Sequence, residues 1–155
     1  MLTSGLHARH AERFAAAFGC TIRASPEALD RLDGELEAEV YDDGDEVAPG
    51  VVAIHIGSIS PDEYALHITA AGGAIVFADG LIRYGGALGF VPDSLMGENP
   101  GAVKEGLRAA FRGLLTRDFD HLLFAHGDPL VNGGRAALRD FLTSPVGHED
   151  FGSAL

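Results

Sequence analysis

Two apolar runs decide how this chain is read: Val51-Val52-Ala53-Ile54-His55-Ile56, and Ala74-Ile75-Val76-Phe77-Ala78 followed by Asp79-Gly80. Both are too short for core helices, are rich in β-branched residues, and stop at turn-forming clusters. Between them Tyr64 to Thr69 has the same character, and Ser60-Pro61-Asp62 and Gly72-Gly73 supply the turns. The spacing predicts strands over 51–56, 64–69 and 74–78. The nearly unbroken apolar character of 51–54 and 74–78 predicts burial on both faces.

Working outward, Leu36 to Tyr41, ending at Asp42-Asp43-Gly44, reads as another strand, as do Thr21 to Ala24 and His121 to Ala125. Helices are expected at both ends. His7 to Phe18 places Ala11, Phe14, Ala15 and Phe18 on one stripe, with Gly19 as a stop. Ser25 caps a second helix running to about Leu32, with Pro26 in its first turn. Asn99-Pro100 opens a third, whose stripe is Val103, Leu107, Ala110, Phe111, Leu114 and Leu115. Leu138, Phe141 and Leu142 mark a last helix from about Gly134, and the tail after Ser144 shows no pattern. The glycine-rich stretch Tyr84 to Asn99 reads as one long loop, a length that points to a binding or interface role or to a mobile surface segment. The order predicts an α/β (α+β) fold, mixed sheets flanked by helices, in a single domain over 1–155.

The bulk properties exclude several classes. The 155 residues suffice for one core, and 46% apolar with 22% charged residues is ordinary for a globule. A formal charge of -12 repels phosphate backbones, so no nucleic-acid partner is expected. No stretch is long enough to span a bilayer, so no membrane partner is expected either. The first ten residues lack the apolar centre of a signal peptide, and the single Cys20 has no internal partner; a reduced, cytoplasmic protein is expected. Cys20 follows a helix C-terminus and reads as a small buried apolar residue.

Three segments, taken in order, resemble the metallo-β-lactamase superfamily. Gly44-Asp45-Glu46-Val47-Ala48-Pro49-Gly50, running into the 51–56 strand, is similar to a hairpin of that family. Ile56 to Ile68, with Ala78-Asp79-Gly80-Leu81 after it, is similar to its Pro-Gly-His-Thr-Pro-Gly element and the Gly-Asp that follows. Leu123-Phe124-Ala125-His126-Gly127-Asp128-Pro129 is similar to its C-terminal Gly-His-Gly turn. The resemblance covers Gly44 to Leu142 and extends to Leu2–Ala24, where the family carries its His-x-His-x-Asp-His motif. It implies an incomplete αββα sandwich lacking the family's first strands. An open sheet edge would follow, a place for a second copy and hence a homodimer.

The resemblance also implies a metal site. Asp79 matches the family's bridging aspartate and His126 its last histidine ligand. Ser58 stands where the family has another histidine, and neutral serine is a poor zinc ligand. In the first motif only His7 and His10 remain as imidazoles, and Arg9 adds positive charge where the motif has an acid. A four-ligand set of His7, His10, Asp79 and His126 for Zn2+ or Fe2+ follows as one expectation. Exposed histidines with no metal at all is the other. Read as residues alone, Asp79 also fits a strand-end turn aspartate and His126 a structural turn histidine. His55 and His67, on adjacent strands, are candidates for cross-strand neighbours with a packing or surface role. Asp62 and Glu63 form a carboxylate pair that reads as a turn aspartate beside a solvated glutamate, with a general base as the sharper alternative. Two functions remain open: a metal-dependent hydrolase of an unknown small-molecule substrate, or a non-catalytic binding or assembly protein that has lost its ligands.

Overall fold

The computed structural model describes residues 1–144; the patternless tail and His148 lie outside the described residues. A 3-10 turn over Gly5–His10 leads into α1 (Ala11–Phe18). Then come β1 (Arg23–Ala24), α2 (Pro26–Arg31), β2 (Glu39–Val40), β3 (Glu46–Ala48), β4 (Val51–His55), β5 (Tyr64–Ile68) and β6 (Ala74–Phe77). The chain continues with β7 (Ile82–Tyr84), β8 (Ala87–Gly89), α3 (Pro100–Leu114), β9 (His121–Phe124) and α4 (Gly134–Thr143).

The main sheet has the order β3-β4-β5-β6-β9. Its first four strands are antiparallel, while β9 returns through α3 to lie parallel to β6. Alternation along the strands puts Ala65, Ile75, Phe77 and Leu122 on one face. That face joins Leu107, Phe111 and Leu114 of α3 and Leu138, Phe141 and Leu142 of α4 in the principal core. The Phe77 and Phe111 rings meet edge-on at 5.2 Å, and burying each such ring stabilises the fold by roughly 2–3 kcal/mol. Arg108, buried on α3, donates to the carbonyls of Phe141 and Leu142 at 3.3 and 2.9 Å, satisfying the end of α4.

The capped helices start where their caps predict, with Ser25 accepting from Ala28 N–H and Asn99 from Ala102 N–H. Five expectations are corrected. On the opposite face of the sheet Ala53, Ala74 and Ala78 are buried, but Val51, Leu66, Ile68, Val76 and Leu123 are only half-buried, so the apolar runs are buried on both sides only in part. The strand expected over Leu36–Tyr41 shrinks to Glu39–Val40, paired in parallel with β1. The stretch read as a long loop begins as a tight hairpin: Gly85 and Gly86 take φ of 57° and 86°, the two-residue turn that matches strand twist. The helix expected over His7–Phe18 is 3-10 in its first part, and the aromatic members of its stripe face outward, with Phe14 62% and Phe18 70% exposed and their rings in contact, while Ala11 packs on the N-terminal cluster. An amphipathic pattern marks an apolar face; it does not supply the surface that would cover it. Cys20, at the end of this uncovered helix, is likewise exposed rather than buried.

Candidate metal centre

Asp79 and His126 meet because β6 and β9 are parallel and in register. Phe77 pairs with Phe124, so the residues two places further on leave the same end of the sheet side by side. The Nε2 of His126 lies 2.9 Å from Oδ1 of Asp79. The His126 turn is clamped from β7: Arg83 N–H donates to the His126 carbonyl at 3.1 Å, and its guanidinium donates to the Pro129 carbonyl at 2.8 Å. Gly127 bridges Arg83 so closely, at φ of 107°, that a Cβ there would sit 1.8 Å from the Arg83 carbonyl oxygen.

His7 arrives from the other end of the chain. Its Nε2 is 3.3 Å from the same Asp79 oxygen, and its ring centroid is 6.0 Å from that of His126. The turn that carries it is tied down at its start. Gly5 N–H donates to Asp62 Oδ2 at 2.7 Å, and Ser4 Oγ donates to the same oxygen at 3.3 Å. Arg31 of α2 donates to Asp62 Oδ1 from Nε and Nη2, at 3.1 and 2.9 Å, and Ser60 Oγ also donates to it. Asp62 is 1% exposed. Burial pushes its carboxyl up, but the hydrogen bonds from Ser60, Gly5 and Arg31 outweigh this and hold it below the usual value. A Cβ at position 5 would lie 2.9 Å from Cδ of Arg31, so any side chain there would displace the arginine that holds Asp62.

The ligand-type atoms of His7, Asp79 and His126 all lie within 4.8 Å of one another. Two imidazole nitrogens and one carboxylate oxygen converging in this way match the donor set of a three-ligand catalytic zinc site. Two donors on a tetrahedral ion at its usual bond lengths stand about 3.3 Å apart, so the spacings to Asp79 need only small adjustment. The residues therefore fit the metal that the resemblance implies.

The remaining expected residues lie elsewhere. His10 stands outside the group: three residues of 3-10 turn carry it about 6 Å along the axis from His7, and it lines a neighbouring hollow with Arg9 and Phe14. Ser58 donates to the Ile56 carbonyl at 3.3 Å, close against Gly106 of α3. His55 and His67 are not cross-strand neighbours, since the register pairs His55 with Tyr64 and His67 with Val52. His67 is buried against the Asp118 carbonyl, at 2.9 Å.

Glu63 was expected to be solvated and is 3% exposed. It accepts Gly80 N–H at 2.5 Å, directly behind Asp79, and a Cβ at Gly80 would be 2.6 Å from its Oε1. The bare glycine after Asp79 was the signal of this close neighbour. Burial raises the Glu63 carboxyl to about 7; hydrogen bonds from Gly80 and Ile59 oppose the shift, and the negative Asp79 and Asp62 add to it. The folded value lies above the unfolded one, so this contribution to stability is complete below about pH 4.5 and is lost as pH rises through 7. In metal-free protein, Glu63→Gln is expected to gain on the parent chain by roughly 2.5 kcal/mol between pH 5 and pH 8. Urea unfolding at the two pH values checks this, and parallel profiles for the two proteins would contradict it.

Among the described residues, no helix is long and apolar enough to cross a membrane. No protein-family model and no curated protein sequence matches the chain. Solved structures do. A metallo-β-lactamase with a HARLDQ motif from Cronobacter sakazakii (Enterobacter sakazakii) superposes with a TM-score of 0.52 at 18% identity, covering 77% of this chain and 52% of that one. A structure described as the first B3 metallo-β-lactamase with an active-site glutamic acid gives a TM-score of 0.58 at 17% identity, covering 90% and 63%. A HARLDQ-motif mutant of the Cronobacter protein gives 0.51 at 18%, covering 86% and 56%. The motif named for the Cronobacter protein opens with the same three residues as His7-Ala8-Arg9. The chain spans less than two thirds of the length of each of these structures. At these identities the likeness is one of architecture: the protein has the metallo-β-lactamase fold.

Proposed function

We propose that the protein is a metal-dependent hydrolase with a reduced, three-ligand site. His7, Asp79 and His126 would hold the ion, with Zn2+ favoured by the donor set and Fe2+ the alternative. The observation that carries this reading is the convergence of both imidazoles on one Asp79 oxygen, from segments far apart in the chain. A zinc ion held in this way supplies a bound water of near-neutral pKa and polarises a carbonyl. The chain's own part is to hold the donors: Asp62 fixes the His7 turn, Glu63 braces the turn behind Asp79, and Arg83 fixes the His126 turn.

A second reading, a binding or assembly protein that keeps the fold without catalysis, is favoured by Ser58, which occupies a ligand position of the family yet packs against α3. Metal analysis of protein purified without chelator or nickel affinity separates the two. The hydrolase reading expects about one metal per chain and a melting temperature that rises with added zinc, because a ligand that binds only the native state must stabilise it. Protein that neither retains nor takes up zinc or iron refutes it.

A further inference from the structure

The cleft that opens onto the His7, Asp79 and His126 group is otherwise aliphatic. Its other lining residues are Leu6, Ile59, Val91 and Leu95, and its volume is about 440 Å³, within the range of small-molecule sites. Among the described residues, no lysine or arginine lines it. Leu6 and Leu95 are 60% and 62% exposed, two of the most exposed large apolar side chains among the described residues, and both stand at this one cleft. Exposed leucines scattered singly need no explanation; a pair flanking three converging ligand-type groups does. Away from the ligand-type groups, a phosphate or sulfate ester would find no lysine or arginine among these lining residues, and a sugar would find few hydrogen-bonding partners.

We infer that this cleft takes the apolar acyl chain of an uncharged carboxylic ester, with Leu6 and Leu95 as the residues that set chain-length preference. This rests on the hydrolase reading for the bond that is cleaved. The net reaction is ordinary ester hydrolysis. The oxygen of water bonds to the acyl carbon, the bond from that carbon to the alcohol oxygen breaks, the alcohol leaves with one proton, and the acid is released as carboxylate plus a proton.

The test uses the full chain with zinc and measures binding of butyrate, hexanoate and octanoate by calorimetry, with turnover of the matching p-nitrophenyl esters alongside. Affinity is expected to rise about fourfold per added methylene until the cleft is filled. Leu6→Ser and Leu95→Ser, at exposed positions where the fold should tolerate them, are expected each to weaken octanoate binding about tenfold. Val131→Ser, equally exposed but outside the cleft, serves as the control and is expected to change nothing. A flat chain-length profile, or leucine variants no different from the Val131 control, overturns the inference, and zinc uptake in the same protein would leave the hydrolase reading standing. A steep profile that Leu6→Ser flattens, in protein that takes up no zinc, supports the apolar site and defeats the hydrolase reading instead.

Discussion

On the proposed reading, protein carrying Asp79→Ala is expected to bind zinc more weakly than the parent chain by more than about 100-fold. Residues that merely orient a ligand are commonly worth 10- to 100-fold in metal affinity, and Asp79 would be a ligand itself, placed where both histidines reach it. The fold is expected to survive, since Asp79 lies just past the end of β6 and its carboxylate meets the His126 and His7 imidazoles rather than groups of the core. His126→Ala should behave alike, whereas His10→Ala should not change affinity, because His10 stands outside the group. Titration against a competing chelating dye, with circular dichroism to confirm folding, provides the measurement. Equal affinities for Asp79→Ala and the parent chain would remove the basis of the metal site.

The second large effect belongs to Asp62. Its carboxylate joins the first turn, α2 and the loop before β5 through hydrogen bonds from Gly5, Ser4, Ser60 and Arg31. Replacing it with alanine strands buried donors and leaves Arg31 without its counter-charge, so Asp62→Ala is expected to cost about 3 kcal/mol of stability. Zinc affinity should fall with it, because the turn that presents His7 loses its tether. The pH dependence has a definite sign. The folded Asp62 value lies below the unfolded one, so its contribution is complete above the unfolded value and is lost as pH falls through the folded value. The destabilisation in Asp62→Asn should therefore be full at neutral pH and shrink in strong acid, as urea unfolding across that range would show. An unchanged midpoint at pH 7 would contradict this account.

How much was legible in the sequence depended on distance along the chain. Asp79 and His126 were brought together by the resemblance, each at the end of an apolar run; that those two runs pair in parallel, with Phe77 opposite Phe124, was not legible. His7 and His10 could not be told apart there, because their positions depend on whether their turn is 3-10 or α. Glu63 was misread because it is buried against the turn at Gly80, seventeen residues on, which no local pattern connects to it. The Gly85-Gly86 hairpin did carry its usual two-glycine signal, hidden in a segment whose other glycines suggested a loop. In α1 the period was legible, but whether anything covered the stripe was not.

The N-terminal segment has a small apolar cluster of its own, built from Leu2, Ala24, Ala28 and Leu36, whereas the strands that end near Asp79 and His126 belong to the large core. The three ligand-type side chains thus straddle a seam between separately packed regions. An ion held there would act as a rivet across it, so its binding strength and the docking of the first thirty or so residues would be one linked equilibrium. Stripping the ion would loosen the amino-terminal region first, while the sheet and its two long helices stayed closed.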